Sequence, residues 1–282
     1  MARLGSGDLV LCPGTVPHAT FRARAAAAAA GGFRGIGLWL PHRRRAHAEG
    51  LSDADMRTVL RDHGLVVTDV EAITDFGPCF RGGAAAAREA TAHEQLAYEV
   101  AAAVGATTIT VVEGPGAPMP VEPAAEAFAV LCDRAASQGL EVAIEFWAHS
   151  AIDAATAAAI VAGAARQNGG LLVDTWHTHH DARAAEVLGR PVPVAIKSVQ
   201  VADVGTDGSA NYFAATMHAR RLPGAGVADL VGWLRSLDAI GARAPLGVEV
   251  LSDALHGLAP DEAARRSGDA MRALVAAARA RD

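Results

Sequence analysis

Cysteine is scarce in this 282-residue chain, which has only Cys12, Cys79 and Cys132. They lie far apart, are odd in number and form no CxxC pair. No disulfide framework or thiolate metal clip follows from them, and they fit a reducing compartment. Long apolar runs are also missing. The stretch from Met1 to Asp8 has no apolar signal core. The alanine runs Ala25–Ala30 and Ala84–Ala87 are too short and too lightly hydrophobic to span a bilayer. The expectation is a soluble, cytoplasmic protein. Excess positive charge is absent too: the net charge is −6 and the isoelectric point near 6.0. That excludes a general attraction for nucleic acid or anionic lipid. The one basic run, Arg43–Arg45, reads as a short solvated loop. No G-x-G-x-x-G follows the first apolar segment, where Cys12-Pro-Gly14 reads as a tight turn rather than a dinucleotide fingerprint.

What is present is rhythm. Short apolar runs alternate with alanine-rich helical stretches along the whole chain, 51% of which is hydrophobic. Strands are expected at 9–11, 35–40, 65–70, 107–112, 140–145, 171–174, 194–200 and 246–249. Helices are expected at 18–30, 53–63, 84–104, 121–138, 151–167, 181–188, 227–240 and 261–280. Ser52 reads as an N-cap and Gly64 as a helix stop. Strict alternation implies a parallel sheet. Eight units in this length imply one closed (β/α)₈ TIM barrel over residues 1–282, with no linker to a second domain.

Four strands end on an oxygen-bearing side chain: Glu145, Asp174, Gln200 and Glu249. In a parallel barrel all strand C-termini face one mouth, where active sites are built. Four such groups on that face suit a hard divalent cation. A lone acid at a strand end is usually an N-cap or a loop ion pair, and Asp174 fits that most easily. Glutamate is a poor N-cap, and Glu145 and Glu249 sit in apolar surroundings where an unpaired carboxylate is costly. His177, three residues after Asp174, faces the same mouth as a metal ligand or a donor to a substrate oxygen. His179 and His180 read as surface histidines. Arg220 precedes the turn Pro223-Gly-Ala-Gly226; composition alone makes it an exposed loop arginine. Trp39, Phe146, Trp147 and Trp176 lie near strand ends and would wall a pocket or pack beneath its loops. His42, Glu71, Glu113 and His149 also sit at strand ends.

The segments Ile144–Phe146, Asn168–His177, Val199–Asp203, Arg220–Gly226 and Gly247–Asp253, in that order, resemble the xylose isomerase-like TIM barrel superfamily. More closely, they are similar to its sugar phosphate isomerase/epimerase branch, which includes ketose 3-epimerases, inosose dehydratases and 3-dehydroshikimate dehydratases. The match covers the C-terminal half; the N-terminal half agrees in rhythm and length. The resemblance implies one divalent ion (Mn²⁺, Mg²⁺, Co²⁺ or Zn²⁺) held by Glu145, Asp174, Gln200 and Glu249. Gln200 replaces the usual histidine, although glutamine also occurs there in this branch. His177 and Arg220 fall on substrate-binding positions, and Ala225 replaces a common acidic residue.

The activity implied is isomerisation or epimerisation of a sugar- or polyol-like hydroxy-ketone through an enediolate. Glu145 and Glu249 would be the acid and base, with His177 and Arg220 steadying negative charge. A metal-dependent dehydratase of the inosose or dehydroshikimate type is the alternative, as is a barrel subunit that needs a partner. The superfamily's abasic-site endonuclease branch is rejected. It needs three zinc ions and more histidines, whereas strands three and four here end in Glu71 and Glu113. Expected partners are a small-molecule substrate and a second copy of the chain, with neither nucleic acid nor membrane.

Overall fold

Eight short strands run parallel: β1 (Leu9–Leu11), β2 (Gly35–Trp39), β3 (Val66–Thr74), β4 (Thr108–Val112), β5 (Glu141–Glu145), β6 (Gly169–Asp174), β7 (Ile196–Val201) and β8 (Leu246–Val248). Each pairs with its neighbour in sequence, and β1 pairs with β8 through Leu9↔Leu246 and Leu11↔Val248. This is the closed (β/α)₈ barrel expected from the alternation. The computed structural model describes residues 3–74, 76, 83–181, 183–184, 187, 196–206 and 211–280. Cys79 and the expected strand residues Val194 and Ala195 lie outside them.

The strands are apolar on both sides because one side fills the barrel and the other meets helices. All six residues of β6 are buried. Leu11, Ile36, Val70, Ile109, Ile144, Leu171, Val199 and Val248 join one continuous core. Helices are cut at their starts by short polar side chains. Thr20 caps Phe21–Ala30, Ser52 and Asp55 form a capping box on Asp53–Asp62, and Asp153 caps Ala154–Ala164. Small residues let the first and last helices, Phe21–Ala30 and Pro260–Arg279, approach closely. A Cβ on Gly268 would stand 2.2 Å from the carbonyl oxygen of Gly31.

Several sequence expectations are corrected. Arg43–Arg45 is not a loop but part of the helix Pro41–Ala48. Proline sits at its first turn, His42 is buried beneath it, and Arg43 makes a two-pronged bond to Asp53 at 2.9 and 2.8 Å. Strand β3 does not stop at Glu71 but continues to Thr74, which puts Glu71 inside the sheet. The chain turns into a helix directly after β6, at Thr175–His180. Four of the eight residues of the helix expected at 181–188 lie outside the described residues. The long connection after β7 also contains a helix, Tyr212–His218. Other boundaries move by one to three residues, as helix and strand ends commonly do.

Candidate metal centre and active site

The C-terminal ends of the strands surround a cavity of about 880 Å³. Its lining includes Glu71, Glu145, His177, Arg220 and Glu249, with Trp39 and Trp147 in the wall. Glu145 and Asp174 end β5 and β6. Gln200 lies in register with Asp174 across the β6–β7 pair. Glu249 is the first residue past β8 and donates its backbone N–H to Val201 at 3.1 Å. Among the expected wall residues, Phe146 and Trp176 are instead buried in the packing beneath.

Asp174 is 1% exposed and divides its two oxygens between separate tasks. Oδ1 caps the helix Thr175–His180 by accepting from the Trp176 N–H at 2.8 Å. Oδ2 accepts from Arg220 Nη1 at 2.6 Å and lies 3.6 Å from His177 Nε2. The same imidazole nitrogen is 3.5 Å from Glu145 Oε1. Ligand atoms of Glu145, Asp174 and His177 thus fall within 4.8 Å of one another. The capping role and the cluster role of Asp174 are compatible because each uses its own oxygen.

Arg220 is not an exposed loop side chain. It is 2% exposed, lies 5.6 Å from the Trp176 ring centre, and donates Nε to the Thr216 carbonyl at 3.0 Å. Nη1 also stands 3.8 Å from Glu249 Oε2. Burial alone would lower its pKa, but Asp174 and Glu249 outweigh that and hold it above the ordinary value. Glu249 is pushed up to about 8, chiefly by burial. Arg220 pulls it down, while Asp174, Glu145 and Asp69 push it further up. The mouth therefore gathers more buried carboxyl groups than one guanidinium offsets, an arrangement suited to a bound cation.

Gln200 sharpens that fit. Its side chain is 99% buried, at 1% exposure, and its Nε2 donates to Glu71 Oε1 at 2.7 Å. Its amide oxygen has no hydrogen-bond partner among the described residues. Buried acceptors rarely go unused unless an ion or water takes them. The carboxylates of Glu145, Asp174 and Glu249 and this amide oxygen are donors that Mg²⁺, Mn²⁺, Co²⁺ and Zn²⁺ all accept. Glu71 is itself raised well above the usual carboxylate range by burial and by the charges of Glu249, Asp69 and Glu145. Burial also raises Asp69, its partner two residues back on β3. Cys12, enclosed by the same carboxyls, has its thiol pushed far up by burial and is unreactive.

Two features escaped the sequence reading. The first is Tyr212. Its hydroxyl meets His177 Nδ1 at 2.7 Å, and its ring stacks on Trp147 with centroids 6.2 Å apart and planes 8° apart. Tyrosine in a polar loop gives no periodic signal. The second is Asp203, which is 1% exposed. Its carboxylate accepts from the N–H groups of Val204, Gly224, Gly226 and Ala228 at 2.8–3.0 Å. The turn after Arg220 is thus tied to β7. A Cβ on Gly226 would lie 2.2 Å from the Val204 carbonyl oxygen, so only glycine permits that approach.

The xylose isomerase-like TIM barrel family model matches residues 24–274, and the chain belongs to that family. A 3-dehydroshikimate dehydratase of Pseudomonas aeruginosa is 29% identical over 270 residues, covering 93% of this chain and 40% of that protein. The chain therefore spans well under half the length of this curated relative. Among solved structures, the IolI protein with a bound zinc atom superposes with a TM-score of 0.85 at 19% identity, over 95% of this chain and 98% of that one. A D-allulose 3-epimerase from Methylomonas sp., in complex with D-allulose, gives 0.74 at 16% identity over 97% and 99%. At such identities these two likenesses are likenesses of fold. Among the described residues, no helix is long and apolar enough to cross a membrane.

Proposed function

We propose that residues 1–282 form a single-domain, divalent-metal-dependent isomerase or epimerase of a sugar- or polyol-like hydroxy-ketone. The observation that carries this reading is the cluster of Glu145, Asp174 and His177 at the barrel mouth. Glu145 and Asp174, joined by Gln200 and Glu249, would be the ligands, leaving His177 Nε2 to face the substrate. A cation held there would polarise a carbonyl and acidify the C–H beside it. Glu145 would remove that proton from one face of the carbon, and Glu249 would return one to the other face. His177, oriented by Tyr212, would donate to the oxygen where enediolate charge grows, and Arg220 would balance that charge. Trp147 and Tyr212 would shield the site from water. The zinc atom in the IolI structure and the sugar in the epimerase complex support this reading at the level of the family. The buried free thiols Cys12 and Cys132 fit a cytoplasmic setting.

A second reading is favoured by the 29% identity to a 3-dehydroshikimate dehydratase. There the same proton removal would expel a β-hydroxyl instead of being reversed on the opposite face. One experiment separates the two readings. The chain is purified without added metal or a chelating tag, its metal is counted by elemental mass spectrometry, and it is incubated in D₂O with ketoses, cyclic polyol ketones and 3-dehydroshikimate. Deuterium entering next to the carbonyl with no loss of water supports epimerisation, and loss of water supports the dehydratase. A metal-loaded chain that catalyses neither points to a partner-dependent subunit. A chain that neither retains nor takes up metal defeats the proposal.

A further inference from the structure

We infer that Glu71 is a positioning residue that turns the Gln200 amide so that its oxygen faces the cation. The inference rests on the metal-centre reading above and extends it to a residue outside the ligand set. A glutamine amide has two ends of similar shape and opposite polarity. Only the oxygen can bind a cation, so a glutamine ligand is useful only when something holds its orientation. Glu71 Oε1 accepts from Gln200 Nε2 at 2.7 Å. Both side chains are buried, at 7% and 1% exposure. With the nitrogen engaged, the oxygen is left without a partner among the described residues.

The placement of Glu71 supports this role. It lies inside β3, in register with Trp39 of β2, and lines the cavity. Two residues back on the same strand, Asp69 has its own Oδ1 held by the Thr68 hydroxyl at 2.7 Å. The Glu71–Gln200 bond thus ties β3 to β7 beside the proposed metal position. It also accounts for the residue at 200. Glutamine and histidine are both neutral ligands with a donor at one end and an acceptor at the other. Either can give an N–H to Glu71 and a lone pair to a cation. Outer partners of this kind typically contribute about 10- to 100-fold in metal affinity.

The test is Mn²⁺ binding by calorimetry, with the thermal midpoint of the metal-free protein as the fold check. Glu71→Leu removes the acceptor and is expected to weaken Mn²⁺ binding about 10- to 100-fold; Glu71→Ser serves if leucine does not fold. Glu71→Gln removes the charge but keeps an oxygen for Gln200 Nε2, and is expected to stay within about threefold of the parent. Gln200→His is expected to retain binding, and Glu71→Leu should weaken that variant as well. If Glu71→Gln loses as much affinity as Glu71→Leu, Glu71 acts through charge and the inference is overturned. Unchanged affinity in Glu71→Leu or Glu71→Ser overturns it too. Unchanged affinity in Gln200→Leu would remove Gln200 from the ligand set, and the inference with it, while leaving Glu145 and Asp174 in place.

Discussion

A carboxyl group buried among other carboxyls carries its cost into the stability of the fold, and Glu249 allows that cost to be measured. Its ordinary pKa is 4.5 and its folded value about 8. Between those values the folded state keeps a proton that the unfolded state has lost. The folded state is therefore penalised increasingly as pH rises through that window. Glu249→Gln removes the penalty. In metal-free protein the thermal midpoint of Glu249→Gln minus that of the parent should widen from pH 5 to pH 8. A margin that does not change with pH would contradict this account. The same variant should lose turnover by roughly 10²- to 10⁴-fold as an acid–base group is removed. Asp174 calls for a subtler change, because alanine would also strip the helix cap. Asp174→Asn keeps an oxygen for the Trp176 N–H. It should fold and yet hold at least about tenfold less metal, read by elemental mass spectrometry.

Among the elements, the eight strands and the long helices were legible because apolar periodicity announces them. Glu145 and Asp174 were placed correctly at strand ends for the same reason. The short helices Pro41–Ala48, Thr175–His180 and Tyr212–His218 were not legible. They are rich in Arg, His, Thr and Tyr and carry little apolar rhythm. Tertiary bonds hold them instead: Arg43 to Asp53, the Trp176 indole to Thr216 at 3.0 Å, and Tyr212 to His177. Arg220 was misread for a related reason, since its burial depends on a turn pinned from another strand. Asp203→Ala should therefore cost roughly 2–4 kcal/mol, seen as a lower thermal midpoint, because four N–H groups lose a charged acceptor. The helix Pro41–Ala48 carries a pH signature. His42 takes the Trp39 N–H on Nδ1 at 3.1 Å, and burial, with Arg24 and Arg45 nearby, lowers its pKa from 6.5 to about 3. The unfolded state gains a proton below pH 6.5 that the folded state refuses until about pH 3, so stability falls as pH drops through that range. His42→Asn keeps an acceptor for the Trp39 N–H and should flatten the loss by up to about 1.4 kcal/mol per pH unit, measured by denaturant unfolding.

At the scale of the molecule, closure of β1 on β8 joins residues almost 240 positions apart, as in Leu9↔Leu246. The mouth is thus assembled only when the whole barrel has closed. A cation that binds this assembled mouth and not the unfolded chain must raise stability, by about 2.7 kcal/mol at a hundredfold excess over its Kd. Thermal melts with and without Mn²⁺ check this, and Asp174→Asn should show the smaller gain. The walls of the cavity offer a further consequence. Two of the chain's four tryptophans, Trp39 and Trp147, line it, one against His42 and the other stacked on Tyr212. Any molecule entering the mouth changes the polarity around both indoles, so the protein's own fluorescence serves as a label-free indicator of occupancy across a panel of untested compounds.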